Sequence, residues 1–322
     1  MTRLMTKSDV ASVLTQADCI RAVEQAFYDY DAGRLPKSES LGVRAGRGTY
    51  HVKAAQSTVF AAKINANFPA NPAQHGLPTI QGLIVVMDLE CGTPLAVLDS
   101  TRITTMRTAA ATAVAAKHLA RADARSVAVI GCGTQGRATV HALREVLPIQ
   151  HVRLWDLNAH MIEECARELD ETGLIVARAS SLEDAVQDAD VIVTCTPATV
   201  PFLEPRHVRP GAFVAAVGAD NPQKCEITPE LMSRALIVAD LRDQAATMGD
   251  LRYAIECGRL AVTDVHAELG AIVSGRIAGR RNGEEIFLFD STGTALQDVV
   301  VASLAVERAA ARDIGTLLSF AG

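Results

Sequence analysis

The sequence predicts an α/β protein in which a doubly wound parallel sheet is joined to a second domain of mixed α+β structure. From Arg125 onward, apolar strand-like runs alternate with helical segments, a pattern typical of a parallel sheet covered by helices. Residues 41–98 instead hold short strand-like runs broken by Gly, Pro and Asn clusters. A length of 322 residues suits two packed domains.

The front of the chain predicts a helix followed by a sheet. Thr15 and Asp18 form a helix-capping pattern, apolar residues recur at helical spacing up to Phe27, and Gly33 is a natural terminator. The runs LGVRA, TYHVKAA, TVFAAKI, TIQGLIVVM and PLAVL predict an antiparallel or mixed sheet. Residues 104–122, rich in Ala and without Gly or Pro, predict a connecting helix.

The rear of the chain predicts the parallel sheet and one further helix. Predicted strands are SVAVI, HVRLWD, DVIVTC, AFVAAVG, ALIVAD and EEIFLFDS. The last segment, TALQDVVVASLAVERAAARDIGTLL, predicts a long amphipathic helix outside the repeating pattern, and we expect it to pack on the front domain. The predicted domains are therefore residues 1–120 together with 291–322, and residues 121–290.

Composition excludes several classes of protein. Lys and Arg total 31 against 37 for Asp and Glu, and this net charge of −6 argues against a nucleic-acid partner. The chain starts without a signal-peptide pattern and holds no long uncharged apolar run, so we expect a cytoplasmic protein with no membrane partner. Seven cysteines and eight histidines are scattered without metal-ligand spacing, which predicts free thiols and no metal site.

A glycine-rich loop lies between the first strand and the first helix of the rear domain. Gly131 permits a tight turn, Gly133 lets the backbone approach a pyrophosphate, and Gly136 allows close packing of helix on strand; Thr134 and Gln135 complete the loop. Asp156 ends the next strand, where it would accept hydrogen bonds from ribose hydroxyls. The pattern indicates a Rossmann-type dinucleotide-binding domain, and the alternative is a plain turn with Asp156 as a helix cap.

The acidic residue also bears on the choice of cofactor. A carboxylate at position 156 would repel a 2′-phosphate, so NAD is favoured, with NADP possible because Arg137 and Arg153 are close in sequence. Thr196 and Pro197 follow the strand DVIVTC at the edge where such cofactors bind. They are equally well explained as a strand-ending turn.

Several blocks resemble one known family. TRITTMRTAAATAVAAKHLAR leading into VIGCGTQG resembles the ornithine cyclodeaminase/μ-crystallin family, and FAAKINANFP, VGADNPQKCEI and FDSTGTALQDV are similar to further blocks in the same order. The resemblance covers nearly the whole chain. It implies a homodimer that uses NAD(P), with the discontinuous domain serving in substrate binding and dimerisation.

The resemblance also implies roles for four residues. It assigns carboxylate binding to Arg44 and Arg107, the active-site lysine to Lys63 and the acid/base aspartate to Asp220. Guanidinium groups suit this task because they hold a carboxylate by two parallel hydrogen bonds. Each residue also has a plain structural alternative. Arg44 could be a solvated strand residue and Arg107 a charge on a helix surface. Lys63 could be a lysine on an edge strand, and Asp220 a turn residue.

One departure from the family and one further match complete the site. Ornithine cyclodeaminases have a glutamate on the strand before the lysine, whereas here TYHVKAA offers His51 and Lys53, which share one strand face and cannot attract an ammonium group. We expect them to contact substrate; the alternatives are a core histidine and an exposed charge. Ser291 and Gly293 match a segment near the nicotinamide, with helix capping as the alternative.

These observations lead to one main functional hypothesis. It is an NAD(P)-dependent oxidoreductase that reduces a C=N bond next to a carboxylate in a cyclic ketimine carboxylate or α-imino acid, or runs the reverse amino-acid oxidation. The alternatives are an ornithine or lysine cyclodeaminase that recycles NAD internally, and a catalytically silent, crystallin-like ligand binder.

Overall fold

The computed structural model describes residues 1–320, and the chain divides into two units. One unit consists of Met1–Arg107 and the segment that begins at Thr294, and the other is Thr108–Gly293. We call them the substrate unit and the nucleotide unit, after the roles proposed below. The division falls at residue 107, within a helix, whereas the sequence pattern placed it at residue 120, after the helix.

The strands and helices of the described residues are as follows. The strands are β1 (Thr2–Met5), β2 (Glu39–Ala45), β3 (Gly48–Gln56), β4 (Phe60–Asn67), β5 (Ile80–Met87), β6 (Pro94–Asp99), β7 (Ser126–Ile130), β8 (His151–Trp155), β9 (Ile175–Arg178), β10 (Val191–Thr194), β11 (Phe213–Ala216), β12 (Leu236–Ala239), β13 (Ala267–Glu268), β14 (Phe287–Asp290) and β15 (Thr316–Leu318). The helices are α1 (Lys7–Val13), α2 (Gln16–Asp31), α3 (Asn71–His75), α4 (Ser100–Leu119), α5 (Thr134–Arg144), α6 (Ala159–Asp170), α7 (Leu182–Val186), α8 (Pro229–Met232), α9 (Arg242–Met248), α10 (Asp250–Glu256), α11 (Leu269–Val273) and α12 (Ala295–Arg312).

The substrate unit is built on a seven-stranded mixed sheet with the order β15-β1-β6-β5-β4-β3-β2. Strands β2 to β6 form a continuous antiparallel meander, and β1 joins β6 in parallel. In the interior strands, small and branched residues such as Ala61, Ile84 and Val86 are buried on one face. The predicted mixed sheet is confirmed, and the sequence pattern missed β1 and α1.

The predicted first helix is α2, and its cap forms as expected. The Thr15 side chain accepts from the backbone of Asp18, and the Asp18 carboxylate accepts from the backbone of Thr15. This reciprocal capping satisfies donors that the first turn would otherwise leave unpaired. Asp18 also accepts from Arg308, which holds the pKa of its carboxyl well below the ordinary value.

The terminal helix α12 packs on strands β3, β4 and β5 and on helix α2 within the substrate unit. It begins after Thr294, whose side chain caps it, and ends at Asp313, which adopts a left-handed conformation with φ 52°. The sequence pattern was wrong in continuing this helix to Leu318, because Thr316–Leu318 forms β15 and pairs with β1. The left-handed conformation of Asp313 ends the α-helix. The apolar residues that follow it belong to β15 and not to the helix.

The nucleotide unit contains an eight-stranded sheet with the order β13-β12-β14-β11-β10-β7-β8-β9, and every pairing is parallel. The first strand of this unit, β7, lies in the middle of the sheet, and β8 and β9 follow it outward to one edge. The chain then returns to the other side of β7 with β10, from which the second half of the sheet is built. Its central strands are fully buried, which explains their continuous apolar sequences. This confirms the predicted doubly wound sheet.

No helix among residues 1–320 is both long enough and apolar enough to cross a membrane. Within the same residues, no group of His, Cys, Asp and Glu side chains could hold a metal ion.

Candidate active site

The glycine loop of the nucleotide unit has the geometry of a pyrophosphate cradle. Gly131 follows β7 with φ +101°, and a Cβ there would meet the backbone oxygen of Cys195 at 2.7 Å. Gly133 caps α5 through its backbone alone, and a Cβ built on it would meet nothing within 4 Å. A Cβ on Gly136 would collide with the backbone oxygen of Gly131. The first and third glycines therefore serve the fold, and the second leaves an open approach to the N-terminus of α5.

Asp156 lies beside this loop. One carboxylate oxygen accepts from the backbone N–H of Cys132 at 2.8 Å, and the other accepts from Asn158 at 2.9 Å. Each carboxylate oxygen has a second lone pair, so the half-buried group can still accept from ribose hydroxyls. The loop, the open helix N-terminus and the adjacent acid fit an NAD molecule. Thr134 is exposed at the first turn of α5, and Gln135 follows it half-buried.

A buried carboxylate that the sequence pattern did not identify ties two neighbouring strand ends together. Glu226 accepts from Thr194 Oγ1 at 2.7 Å, from the backbone N–H and the hydroxyl of Thr196 at 2.6 and 2.7 Å, and from the backbone N–H of Gly218 at 2.8 Å. Burial raises the pKa of Glu226, and these hydrogen bonds oppose the shift. Glu226 thereby fixes the segment containing Thr196 and the exposed Pro197, and also the backbone that leads to Asp220.

Two further buried acids extend this network. Asp250 accepts from the backbone of Glu226 and Ile227 at 2.6 and 2.9 Å, and Asp290, at the end of β14, accepts from Leu251 at 2.9 Å. Burial raises the pKa of Asp290 to about 7. The carboxylates of Glu226, Asp250 and Asp290 thus hold together the carboxyl edge of the parallel sheet, the edge where ligands of such folds bind.

Asp220 follows β11 at the same edge of the sheet, and its side chain is 50% exposed. Its carboxylate forms an ion pair with Lys224 at 2.8 Å and accepts from the amide of Asn221 at 3.2 Å. The carboxylate therefore lies on a solvent-accessible turn at the sheet edge where ligands of such folds bind.

Ser291 and Gly293 follow β14 and precede α12, so neither belongs to the helix. Gly293 has φ +73°, and its N–H donates to Asp240 at 2.6 Å, which Thr292 also contacts at 2.8 Å. The helix cap is Thr294, so capping does not account for Ser291 or Gly293. The hydroxyl of Ser291 is buried and has no hydrogen-bond partner among the described residues, so it can still donate to or accept from a bound molecule.

The substrate unit contains a buried cluster of opposite charges. Lys63 on β4, Arg107 on α4 and Asp298 on α12 have side chains that are 3%, 6% and 4% exposed. The Lys63 ammonium lies 2.6 Å from Asp298 Oδ2, as an ion pair without the alignment of a good hydrogen bond, and it donates to Thr104 at 3.3 Å.

The same aspartate orients the arginine. Arg107 Nε donates to Asp298 Oδ1 at 2.8 Å, and its Nη1 donates to Gln297 Oε1 at 2.9 Å. These two bonds use two of the five guanidinium N–H groups, and the remaining N–H groups can donate to a carboxylate. The alternatives of an exposed helix charge for Arg107 and an edge-strand lysine for Lys63 are wrong, because both are buried and β4 is an interior strand.

The cluster strongly perturbs its own ionisation. Burial lowers the pKa of Lys63 to about 7, with help from the charges of Arg107 and Lys53, while Asp298 opposes the shift. Burial alone would raise the pKa of Asp298, but Arg107 and Lys63 outweigh it and hold the pKa below the ordinary value. A lysine that titrates near neutral pH beside an oriented arginine is typical of a catalytic site.

His51 and Lys53 lie on β3 in direct register with this cluster. Lys53 stands opposite Lys63, and His51 stands opposite Asn65; residues paired in this way share a face of the sheet. Both are half-buried. Arg44 lies on the same face of the edge strand β2, opposite Thr49, and is exposed. The structure brings Lys63, Arg107, His51 and Lys53 onto one face, with Arg44 at its rim.

Asp298 was accessible to sequence reasoning in one respect. It falls within the apolar stripe of α12, among Ala295, Val299 and Ala302, all of which are buried. An acid inside such a stripe needs a buried cation as its partner. Glu226 gave no comparable signal, because its neighbours belong to a segment without regular periodicity.

The fold and the glycine loop define a protein with a Rossmann-type dinucleotide-binding domain. Its sequence matches the profile of the Ornithine cyclodeaminase/mu-crystallin family over residues 1–313. The chain belongs to this family.

Known relatives cover the whole chain. The alanine dehydrogenase of Archaeoglobus fulgidus is 35% identical, covering 99% of this chain and 98% of its own length. An archaeal alanine dehydrogenase, solved as a dimer with bound NAD, superimposes with a TM-score of 0.96 at 34% identity and covers 99% of both chains. The Δ1-pyrroline-2-carboxylate reductase of Thermococcus litoralis, solved with NADH and L-proline, has a TM-score of 0.94 at 30% identity and covers 98% of this chain and all of its own.

Proposed function

We propose that the protein is an NAD-dependent oxidoreductase that reduces a C=N bond adjacent to a carboxylate, or oxidises the corresponding amino acid. The observation that carries the proposal is the buried cluster of Lys63, Arg107 and Asp298, in a chain that also holds a complete dinucleotide loop. The relatives named above act on substrates of this class, which supports it.

The residues of the substrate unit would bind and orient the substrate. Arg107, held by Asp298 and Gln297, would grip the α-carboxylate with its remaining N–H groups. Lys63 would add a second positive charge, and a pKa near 7 lets it share a proton with the ligand. Arg44 would add charge at the rim. The burial of the cluster excludes water and strengthens these interactions.

The nucleotide unit would bind the cofactor and handle the proton. Gly133 and the N-terminus of α5 would receive the pyrophosphate, Asp156 the adenosine ribose, and Thr196, Pro197, Ser291 and Gly293 the nicotinamide end. A cofactor held by these residues would provide hydride chemistry, and the overall reaction would balance as imine, NADH and a proton giving amine and NAD. We assign the proton transfer to Asp220. The carboxylate of Asp156 favours NAD over NADP.

A panel of substrates tests this function. NADH consumption would be followed with Δ1-pyrroline-2-carboxylate, Δ1-piperideine-2-carboxylate and pyruvate plus ammonium, and ammonia release would be measured from ornithine and lysine. We expect NADH to be consumed in step with imine. Ammonia released from ornithine without net change in NADH would instead identify a cyclodeaminase, and NADH binding without any turnover would identify a silent ligand-binding protein.

We also propose that the protein is a homodimer. Leu41, Val52, Ile64 and Leu83 stand opposite one another across β2, β3, β4 and β5, on the face away from Lys63. Leu41, Ile64 and Leu83 are 60%, 49% and 55% exposed. A contiguous exposed apolar row marks an interaction surface, and a second copy satisfies it by two-fold symmetry.

Light scattering tests the dimer. Ile64→Lys should give monomers, whereas Ile175→Lys, at an exposed position on β9 of the nucleotide unit, should not. A wild-type monomer at micromolar concentration would refute the proposal.

The cytoplasm is the proposed location of the protein. That compartment keeps thiols reduced, and all seven cysteines are free.

A further inference from the structure

One buried amide in the substrate unit is only half used within the chain. Gln297, in the first turn of α12, is 1% exposed. Its Oε1 accepts from Arg107 Nη1 at 2.9 Å, whereas its Nε2 is buried and has no hydrogen-bond partner among residues 1–320. Buried polar groups are almost always hydrogen-bonded, because a donor taken out of water without a partner costs free energy. The two N–H groups of this amide therefore need an acceptor.

The neighbouring arginine fixes the orientation of the amide. The oxygen and nitrogen ends of a glutamine side chain have nearly the same shape, so a half turn exchanges them. A guanidinium carries donors only. The exchanged amide would place donor against donor and lose the bond to Arg107 Nη1. Nε2 is therefore the unpaired end.

The nearest carboxylate does not supply the acceptor. Asp298 is the next residue on α12, and its Oδ1 accepts from Arg107 Nε. Its Oδ2 lies 2.6 Å from Lys63 Nζ and accepts no hydrogen bond from Gln297. An acceptor for Nε2 must therefore come from a bound molecule.

The donors around Nε2 indicate which chemical group that molecule presents. Arg107 uses two of its five N–H groups, and Gln297 uses neither N–H of its amide. Lys63 adds a cationic group to the same cluster. A carboxylate suits this set, because its two oxygens accept several hydrogen bonds at once. The amide adds a donor to the cluster without adding a charge that would repel Arg107.

We infer that Gln297 is a substrate-binding residue, and that its Nε2 donates to the carboxylate that Arg107 binds. The side chain has two roles, since Oε1 positions Arg107 and Nε2 contacts the ligand. This inference rests on the proposed function, because the ligand is the carboxylate of the proposed substrate, and it adds a residue to the site.

Two substitutions separate the contact from the positioning role. Gln297→Glu keeps the Oε1 acceptor for Arg107 and replaces Nε2 by an oxygen that cannot donate, whereas Gln297→Met removes both. The probe is pyrrole-2-carboxylate, a planar acid whose aromatic ring takes up no hydride, and calorimetric titration of the NADH-saturated protein measures its Kd. We expect Kd to rise roughly 10- to 100-fold in Gln297→Met and further in Gln297→Glu, because a hydrogen bond to a charged group contributes about this factor.

A second probe tests for direct contact. Pyrrole-2-carboxamide is uncharged, and its N–H groups can donate to the oxygen that Gln297→Glu introduces, so its Kd should fall about tenfold in this variant. Gln25→Glu makes the same change at an exposed position on α2 and should bind both probes like the wild type.

Several results would overturn the inference. Gln297→Glu binding the acid as well as the wild type, and better than Gln297→Met, would show that the residue only positions Arg107. An unchanged Kd of the carboxamide in Gln297→Glu, wild-type affinity of Gln297→Met for the acid, or no binding of the acid to the wild type would also count against it.

Turnover separates this inference from the proposed function. Acid binding that depends on Gln297 as expected, with no NADH consumed from any imine of the panel, would support the inference and overturn the proposed function. NADH consumption with the same KM in the wild type, Gln297→Glu and Gln297→Met would support the function and overturn the inference.

Discussion

Replacing Asp298 by Asn should destabilise the protein far more than an equal change on its surface. The Asp298 carboxylate is the shared partner of Lys63 and Arg107, and all three side chains are buried. Removing one member of a buried ion pair leaves an uncompensated charge and costs about 3–5 kcal/mol. Since 1 kcal/mol shifts the unfolding midpoint of a domain of this size by about 2–4 °C, we expect a decrease of roughly 6–20 °C.

The residue that caps the C-terminus of the same helix provides a matched control. Asp313→Asn makes the identical change at a side chain that is 90% exposed and pairs with Arg3 at 3.6 Å. Asp313 faces solvent, which screens its pair with the nearly buried Arg3, so the pair contributes about 0–1 kcal/mol. Asn tolerates the left-handed backbone of this position as well as Asp does. The midpoint of this variant should therefore stay close to that of the wild type.

A double-mutant cycle completes the experiment. Lys63→Met removes the cation that Asp298→Asn leaves unpaired, so the double variant should be more stable than the sum of the single effects predicts, with a coupling of about 0.5–3 kcal/mol. Urea unfolding of the four proteins at pH 6.5 measures it. Additive effects, or equal losses in Asp298→Asn and Asp313→Asn, would refute the view of this cluster as a coupled buried network.

Three further predictions concern ionisation and the nucleotide unit. The pKa of Lys63 is about 7 in the folded protein and 10.5 ordinarily, so the unfolded chain binds more protons between these two pH values. The free energy of unfolding of the wild type, relative to that of Lys63→Met, should therefore rise from pH 7 to 10.5 in urea titrations. A difference between the two proteins that does not change with pH would contradict this. Glu226→Gln replaces a carboxylate that accepts four hydrogen bonds and fixes the strand ends at the proposed nicotinamide site. The Kd for NADH, measured by fluorescence titration, should therefore rise about tenfold. Glu230→Gln, at an exposed position, should bind NADH like the wild type. Gly133→Ala should fold like the wild type but bind NADH poorly, because the added Cβ enters the open approach to the N-terminus of α5. Gly136→Ala should lose about 1–3 kcal/mol of stability, because its Cβ meets the backbone of Gly131. Equal stability of the two variants in thermal unfolding would count against the assigned glycine roles.

Much of the architecture could be predicted from local patterns in the sequence. The parallel sheet is buried on both faces, so its strands are continuous apolar runs, and the capping box at Thr15 is encoded within four residues. The end of α12 was missed because the helical apolar pattern continues into β15, and the left-handed turn at Asp313 leaves little trace in the sequence.

The candidate site also combines features that local sequence predicts with features that it does not. The glycine loop is local, and its geometry follows from three residues in one turn. The carboxylates that organise the sites act over long sequence separations: Asp298 contacts Arg107 from 191 positions away, and Glu226 contacts Thr194 from 32. Their partners are set by tertiary packing, which no local pattern records.

The pairing of β1 with β15 has a consequence for biosynthesis. Thr2 stands opposite Leu318, and α12 packs on strands made more than 200 residues earlier. As the ribosome delivers the chain, residues 108–293 can complete their own sheet before that helix exists, since domains generally fold as units during synthesis. The opening residues must wait for their last partners, and until then the apolar strand faces beside Lys63 lack the helix that covers them.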